Sequence, residues 1–300
     1  MKTAFLFPGQ GAQTIGMGKD LYESNETYKN AFDDIDSTLE FSLKDACFEG
    51  VNMEKSEYIQ PAIYAHSTAL FKTIGKKADL YAGLSLGEYT ALAVTNMIDI
   101  VKGALLVNKR GALMDNAVTA GVGAMASIMG LDINEVEKLL EGLPDVWAAN
   151  HLSEKQIVIA GEKQGLDGVV PMFENAGAKV IPLNVSGPFH TPMLKRASEK
   201  FKDLFISVNI NKPTEIIYSN FTGLPYEDNS DVVSLLASQM CSRVRWHDII
   251  ERLIEQGVTD YVEIGPSMVL SKMLKRRLKG EEVNISSVRD LKSLSKYLDK

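Results

Sequence analysis

The chain has 300 residues, 45% of them hydrophobic and 24% charged, a globular composition that excludes disorder and fibrous repeats for the bulk of its length. A net charge of −7 argues against nucleic-acid binding, and two cysteines, Cys47 and Cys241, are too few for a disulfide framework or a Cys-rich zinc site. No run approaches the ~20 apolar residues that cross a membrane and the N-terminal apolar run is too short for a signal peptide, so a reduced, cytoplasmic, enzyme-sized protein is expected.

Residues 3–7 form an apolar run stopped by Pro8 and Gly9, which reads as a buried strand entering a tight loop. Helical stretches follow, the clearest at 60–72. A second short strand is expected at 79–82, then the turn Gly83-Leu84-Ser85-Leu86-Gly87, a helix at 88–97 and a longer one from 99 to about 116. The pattern then changes. Strand 124–129, helix 132–140, strands 146–149 and 156–160, helix 166–175 and strand 179–185 give the βαββαβ order of a ferredoxin-like unit. Its flanks, Thr119-Ala120-Gly121 and Ser186-Gly187-Pro188, are suitable hinges, which places an inserted subdomain at 120–187. Beyond it come helix 191–205, strand 215–218, helix 248–256, strand 260–264, helix 269–278 and strand 283–288. Strand–helix alternation implies a mostly parallel sheet covered by helices. The expected fold is therefore α/β, with residues 1–119 plus 188–300 forming the larger domain.

The strongest local signal is Gly83-x-Ser85-x-Gly87 between a strand and a helix. A serine hydroxyl is a poor nucleophile unless it is exposed, aligned with a base and next to donors for an oxyanion. A sharp strand–turn–helix elbow supplies the exposure and brings helix N-terminal N–H groups to the oxyanion. Such a turn needs small neighbours on both sides. The same pattern also arises as a plain glycine-rich turn with Ser85 as helix cap. The loop Phe7-Pro8-Gly9-Gln10-Gly11-Ala12-Gln13 lacks the lysine of a phosphate loop, and its glycines miss the dinucleotide-binding spacing. It is better placed to lend an N–H to an oxyanion hole.

A base must come from four histidines, and these form no HxH or HxxxH pair of the metal-binding kind. His66 lies in an apolar helical pattern, His151 in a polar loop, and His247 at a helix start. His190 lies in Ser186-Gly187-Pro188-Phe189-His190-Thr191-Pro192, a constrained junction of the kind that carries catalytic groups. From the residues alone, the other three stay open.

The motifs FPGQGAQ, IQPAIYAHSTA (59–69), GLSLGE (83–88), KRGALM (109–114), NHLSEKQIVIAG (150–161), VSGPFHTPM (185–193) and VEIGPSMVL (262–270) occur in that order. Together they resemble the malonyl-CoA:acyl-carrier-protein transacylases of bacterial fatty-acid synthesis, over essentially the whole chain. The resemblance implies a hydrolase-like α/β domain with a ferredoxin-like insert. It implies Ser85 as nucleophile, His190 as general base, and the Gln10 and Leu86 backbone N–H groups as the oxyanion hole. Arg110 would grip the malonyl carboxylate, with Gln60 and Asn150 lining the site. Phe189 before the histidine and Leu86 after the serine match malonyl-selective members, and a bulky Phe189 leaves little room for an α-methyl branch. The family orients its histidine with a backbone carbonyl, expected here near Val244-Arg245-Trp246. Leu84 departs from the histidine usual at that position, which touches fine tuning of the site but removes neither nucleophile nor base.

The implied reaction is ping-pong transfer of malonyl from malonyl-CoA to the phosphopantetheine thiol of acyl carrier protein, with no metal or bound cofactor and by a monomer. An acidic carrier would dock on local basic surface. Lys272, Lys275, Arg276, Arg277 and Lys279 are the densest cluster, and Lys195-Arg196 follows His190; a solvated helix face is the other reading of such a run. Two functional alternatives have the same dyad, a serine thioesterase or esterase and a free-standing polyketide acyltransferase. A third is a scaffold protein with an inactive fold. For Arg110, the alternative is a structural ion pair with an acid such as Asp115.

Overall fold

The structure, a computed structural model, describes residues 2–299. In chain order its elements are β1 (Thr3–Phe7), α1 (Lys19–Ser24), α2 (Glu26–Asp36), α3 (Ser56–Ile74), β2 (Leu80–Gly83), α4 (Leu86–Val94) and α5 (Ile100–Asp115). Then come β3 (Gly123–Met129), α6 (Ile133–Leu140), β4 (Val146–Ser153), β5 (Gln156–Glu162), α7 (Lys163–Asn175) and β6 (Lys179–Pro182). The chain ends with α8 (Lys195–Asp203), β7 (Ile216–Ile217), α9 (Val232–Met240), α10 (Trp246–Glu255), β8 (Asp260–Ile264), α11 (Val269–Arg277), β9 (Asn284–Val288) and α12 (Leu291–Leu298).

Five strands form one sheet in the order β7-β2-β1-β8-β9, and every pairing in it is parallel. A parallel strand covered by helices on both faces must be apolar on both, and β1 obeys this. Phe5 and Phe7 pack into the larger cluster with Ile63 and Leu86. Ala4 and Leu6 point the other way, against Trp246 and Leu253. The chain leaves β1 for β2 on one side and returns to β8 on the other, so the order switches at β1. Open α/β sheets bind ligands at such a switch, beyond the carboxyl ends of the strands.

The remaining four strands make an antiparallel sheet in the order β4-β5-β3-β6, the ferredoxin-like arrangement. It has its own apolar cluster, in which Ile128, Ile157 and Ile159 of the sheet meet Val136 of α6 and Phe173 of α7. A backbone bridge joins it to the larger sheet's side of the molecule: the His151 N–H donates to Val244 O, and the Val244 N–H to Ala149 O.

Several elements differ from the sequence pattern. The helix expected at 60–72 starts four residues earlier, at Ser56, and runs through Pro61. Proline removes the hydrogen bond to the carbonyl four residues back, and that Glu57 carbonyl instead accepts from Asn108 Nδ2 at 2.9 Å. The helix expected at 191–205 breaks into a 3₁₀ turn at Pro192–Leu194, α8, and a second 3₁₀ turn at Leu204–Ser207. The strand expected to reach 185 stops at Pro182, where proline cannot donate to a ladder. Helices α9 and α12 are additions to the expected elements: α9 is mostly apolar with little amphipathic contrast, whereas α12 does carry a signal that sequence reasoning missed, leucines at helical spacing behind an Asp290 cap.

Candidate active site

Ser85 joins β2 to α4 with a φ of 52° and ψ of −101°. His190 has a φ of 61°, and these two are among only four non-glycine residues with positive φ in the described chain. Such backbone strain persists only where the surroundings enforce it, and it clusters at functional sites. The elbow is enforced by its glycines. A Cβ on Gly83 would sit 1.9 Å from Gly87 C, and one on Gly9 would sit 2.5 Å from Leu84 O. No side chain fits at either place, so strand, elbow and β1 loop lie backbone against backbone.

The Ser85 hydroxyl lies 2.8 Å from His190 Nε2. Nδ1 of the same ring lies 2.8 Å from Gln239 O. A carbonyl only accepts, so Nδ1 carries the proton and Nε2 is left to accept from the serine. Burial, and then the charge of Arg110, lowers the His190 pKa to about 3, which keeps the imidazole neutral. The orienting carbonyl is thus Gln239 O, not one in the 244–246 stretch expected from sequence. Gln239 stands near the end of α9, where helix carbonyls lack intrahelical partners. Val244 O is already used by His151 N–H.

Leu86 is the first residue of α4, so its N–H is free of the helix ladder and faces the elbow at the positive end of the helix. Gln10 follows β1 in the adjoining loop; its side chain donates to Ser56 Oγ at 3.1 Å and accepts from Gln60 Nε2 at 3.5 Å. Neither Gln10 nor Leu86 donates its backbone N–H to another backbone group in the described residues.

Arg110, on α5, is 1% exposed. Its guanidinium donates to Gln60 Oε1 at 2.7 Å, Gln239 Oε1 at 2.8 Å and the Ser85 hydroxyl at 3.0 Å. Its carbon lies 5.1 Å from the Tyr89 ring centroid, and its Nε has no partner. Among the described residues Arg110 forms no ion pair. Asp115, the acid that would have made Arg110 structural, is occupied elsewhere: it accepts from Ser186 Oγ at 2.7 Å and Glu57 N–H at 3.1 Å. Burial is costly enough to lower the Arg110 pKa from its usual value. A buried cation without a counter-charge is expensive, and this one is held 3.0 Å from the candidate nucleophile.

These groups open on a cavity of about 420 Å³ whose lining includes Gln10, Gln60, Ser85, Arg110, Asn150 and His190. Phe189 forms part of its wall and is buried. Asn150 reaches it from β4 of the inserted sheet. Leu84 also lines the cavity, as do Leu152, Met125 and Val158, so the position usually held by histidine adds to the apolar part of its lining. His66 is sealed in the core against Tyr28, at 2.7 Å. His151 lies 3.5 Å from Asp248, with its ring 4.5 Å from that of His247, away from the serine. Among the described residues no group of His, Cys, Asp or Glu side chains is arranged to hold a metal ion, and no helix is long and apolar enough to cross a membrane.

Sequence reasoning missed four groups behind the elbow: Glu88, Asn220, Tyr226 and Gln239. Glu88 gave one signal, a carboxylate inside the small apolar helix LGEYTALAV, every residue of which is buried. The other three come from distant, unremarkable stretches.

A strained serine elbow, a buried imidazole and a cation aimed at the same cavity define an acyltransferase once the sequence family is added: the acyl transferase domain family matches residues 4–296. The chain is 40% identical over 291 residues to the malonyl CoA-acyl carrier protein transacylase of Bacillus subtilis (strain 168), which covers 93% of this chain and 92% of that protein. The crystal structure of malonyl CoA-acyl carrier protein transacylase from Clostridium perfringens superposes with a TM-score of 0.94 at 36% identity, covering 100% of this chain and 96% of that one. A malonyl-transacylase solved in complex with a type II PKS acyl-carrier protein gives a TM-score of 0.91 at 33% identity, covering 100% and 99%. The chain belongs to the malonyl-CoA:acyl-carrier-protein transacylase family.

Proposed function

We propose that the protein moves malonyl from malonyl-CoA to the phosphopantetheine thiol of an acyl carrier protein through a malonyl-Ser85 intermediate. One observation carries the substrate choice: Arg110 is buried, has no acid partner, and reaches the Ser85 hydroxyl at 3.0 Å. A carboxylate one methylene beyond a thioester carbonyl held at Ser85 meets that guanidinium, whose planar fork suits two parallel charge-assisted bonds.

In the first half-reaction the Ser85 hydroxyl gives its proton to His190 Nε2 as the oxygen attacks the thioester carbonyl. The Gln10 and Leu86 N–H groups hold the oxyanion. Collapse breaks the carbon–sulfur bond, and coenzyme A leaves with the proton from His190. In the second half-reaction the carrier's thiol gives its proton to His190 and attacks the malonyl ester. Collapse then returns the proton to Ser85. No step calls for a metal or a bound cofactor. Phe189, in the cavity wall, leaves little space for a branched acyl group, and Gln60 and Asn150 supply polar lining.

The site is complete within one chain, which supports a monomer, and the two cysteines are free thiols, which fits a reducing cytoplasm. For the carrier we propose the exposed basic residues of α11, with Arg277 withdrawn from the group because it is spent on Glu251, at 2.5 and 2.6 Å.

Intact mass after mixing with malonyl-CoA tests this reading. A single malonyl adduct is expected on the native chain and none on Ser85→Ala, whose fold should be unchanged. An adduct of equal yield on Ser85→Ala would refute the nucleophile. Hydrolysis outpacing transfer to carrier would favour a thioesterase.

A further inference from the structure

The backbone at Ser85 is held from both sides by side chains. Its N–H donates to Asn220 Oδ1 at 2.6 Å, and its carbonyl accepts from Gln239 Nε2 at 2.8 Å. Asn220 also donates from Nδ2 to Gly83 O at 2.7 Å, gripping the other shoulder of the elbow. The two clamps are themselves tied to one group. Glu88 Oε2 accepts from Gln239 Nε2 at 2.8 Å and from the Asn220 N–H at 3.0 Å, and Oε1 accepts from the Tyr226 hydroxyl. Glu88 is fully buried and lies one helical turn past the serine.

We propose that Glu88 is a positioning residue that sets the nucleophile through Gln239 and Asn220. This rests on Ser85 being the nucleophile. The arrangement explains why a carboxylate stands in an apolar helix. A φ of 52° at serine must be held by its surroundings, and the holding atoms are two flexible amides. A carboxylate presents acceptors on both oxygens and cannot sit the wrong way round, so it fixes which end of the Gln239 amide meets Ser85 O. With Nε2 pointed at Ser85 O and Glu88, Gln239 Oε1 faces Arg110 and its backbone carbonyl faces His190. One carboxylate thereby registers nucleophile, base and guanidinium together without touching the acyl group. Burial raises the Glu88 pKa to about 7 against the pull of its three donors, a cost the fold retains.

Two near-isosteric variants separate position from charge. Glu88→Gln keeps the length and can keep all three contacts, with its oxygen toward Gln239 and Asn220 and its amide toward a Tyr226 hydroxyl that turns to accept. Glu88→Asp keeps the carboxylate but withdraws it by a methylene. Positioning predicts that Glu88→Gln acylates within about threefold of wild type, whereas Glu88→Asp loses about a hundredfold in single-turnover acylation, the cost of a misplaced reacting group. Malonyl and acetyl rates should fall by the same factor, with the KM for malonyl-CoA little changed. If Glu88→Gln is the weaker enzyme, or the malonyl-to-acetyl ratio shifts, Glu88 acts as a counter-charge to Arg110 and the proposal is wrong. Loss of melting temperature in both variants with full acylation rates, or loss of the folded state in both, would make Glu88 merely structural and likewise overturn it. Labelling of the wild-type serine in the same experiment reports on the nucleophile independently of either variant.

Discussion

Replacing Arg110 by alanine should change which acyl group the enzyme prefers. The guanidinium is 1% exposed and has only neutral oxygens around it, so a malonyl carboxylate would be its first full counter-charge. Without it, that carboxylate must be buried unpaired, and breaking a buried pair costs about 3–5 kcal/mol. At 1.36 kcal/mol per decade, malonyl kcat/KM should fall by about two to four orders of magnitude. An acetyl group has no carboxylate and never uses the cation. Arg110 also lowers the basicity of His190, so acetyl transfer should hold or rise. The folded state loses donors to Gln60 and Gln239 but is relieved of an unpaired buried charge, and these effects oppose each other. Arg110→Lys should recover only part of the malonyl rate, because an ammonium cannot make two parallel bonds. The assay is kcat/KM for malonyl-CoA and acetyl-CoA in wild type and both variants, with a melting curve for each. A fall in both acyl rates at an unchanged ratio, together with a lower melting temperature, would refute the clamp.

His190→Ala should slow acylation by about a hundredfold or more, while His151→Ala and His247→Ala leave it near wild type; a larger loss in either of those would mean the wrong base has been chosen. Stability should rise with pH between about 4.5 and 6.5: the unfolded chain protonates His66 and His190 there, whereas burial lowers their folded pKa values to about 4 and about 3. Glu88 opposes them, since its folded pKa of about 7 keeps its proton in the folded state, so unfolding takes up about one net proton and the slope is about 1.4 kcal/mol per pH unit. Urea midpoints at pH 5 and pH 6 measure it, and a flat or falling trend would contradict these assignments.

What the sequence made legible at this site is what is local in the chain. Apolar runs, turn residues and GxSxG lie within a few residues of one another, so strand, elbow and helix could be read directly, as could the βαββαβ order of the insert. Sequence order says much less about what holds the elbow. Asn220 and Gln239 meet Ser85 across 135 and 154 residues, and nothing in YSNF or ASQM marks them as partners of a serine near position 85. The misplaced orienting carbonyl has the same origin. Val244 and Gln239 are close in sequence, but one carbonyl lies in a backbone bridge to the inserted sheet, while the other lies near the end of a mostly apolar helix with little amphipathic contrast. Arg110 shows the converse. Its residue type and an acid five positions away suggested an ion pair, yet Asp115 is committed to the start of α3 and to Ser186. The fold thus spends its nearby acid on Ser186 and the first turn of α3 and leaves the cation without an ion-pair partner among the described residues. Glu88 completes the inversion. Its carboxylate, whose charge bears on Arg110 through space, is kept off the guanidinium by the Gln239 amide, which accepts from the guanidinium on one side and donates to the carboxylate on the other. That neutral amide keeps the two groups apart and leaves the guanidinium free to bind a carboxylate from the cavity.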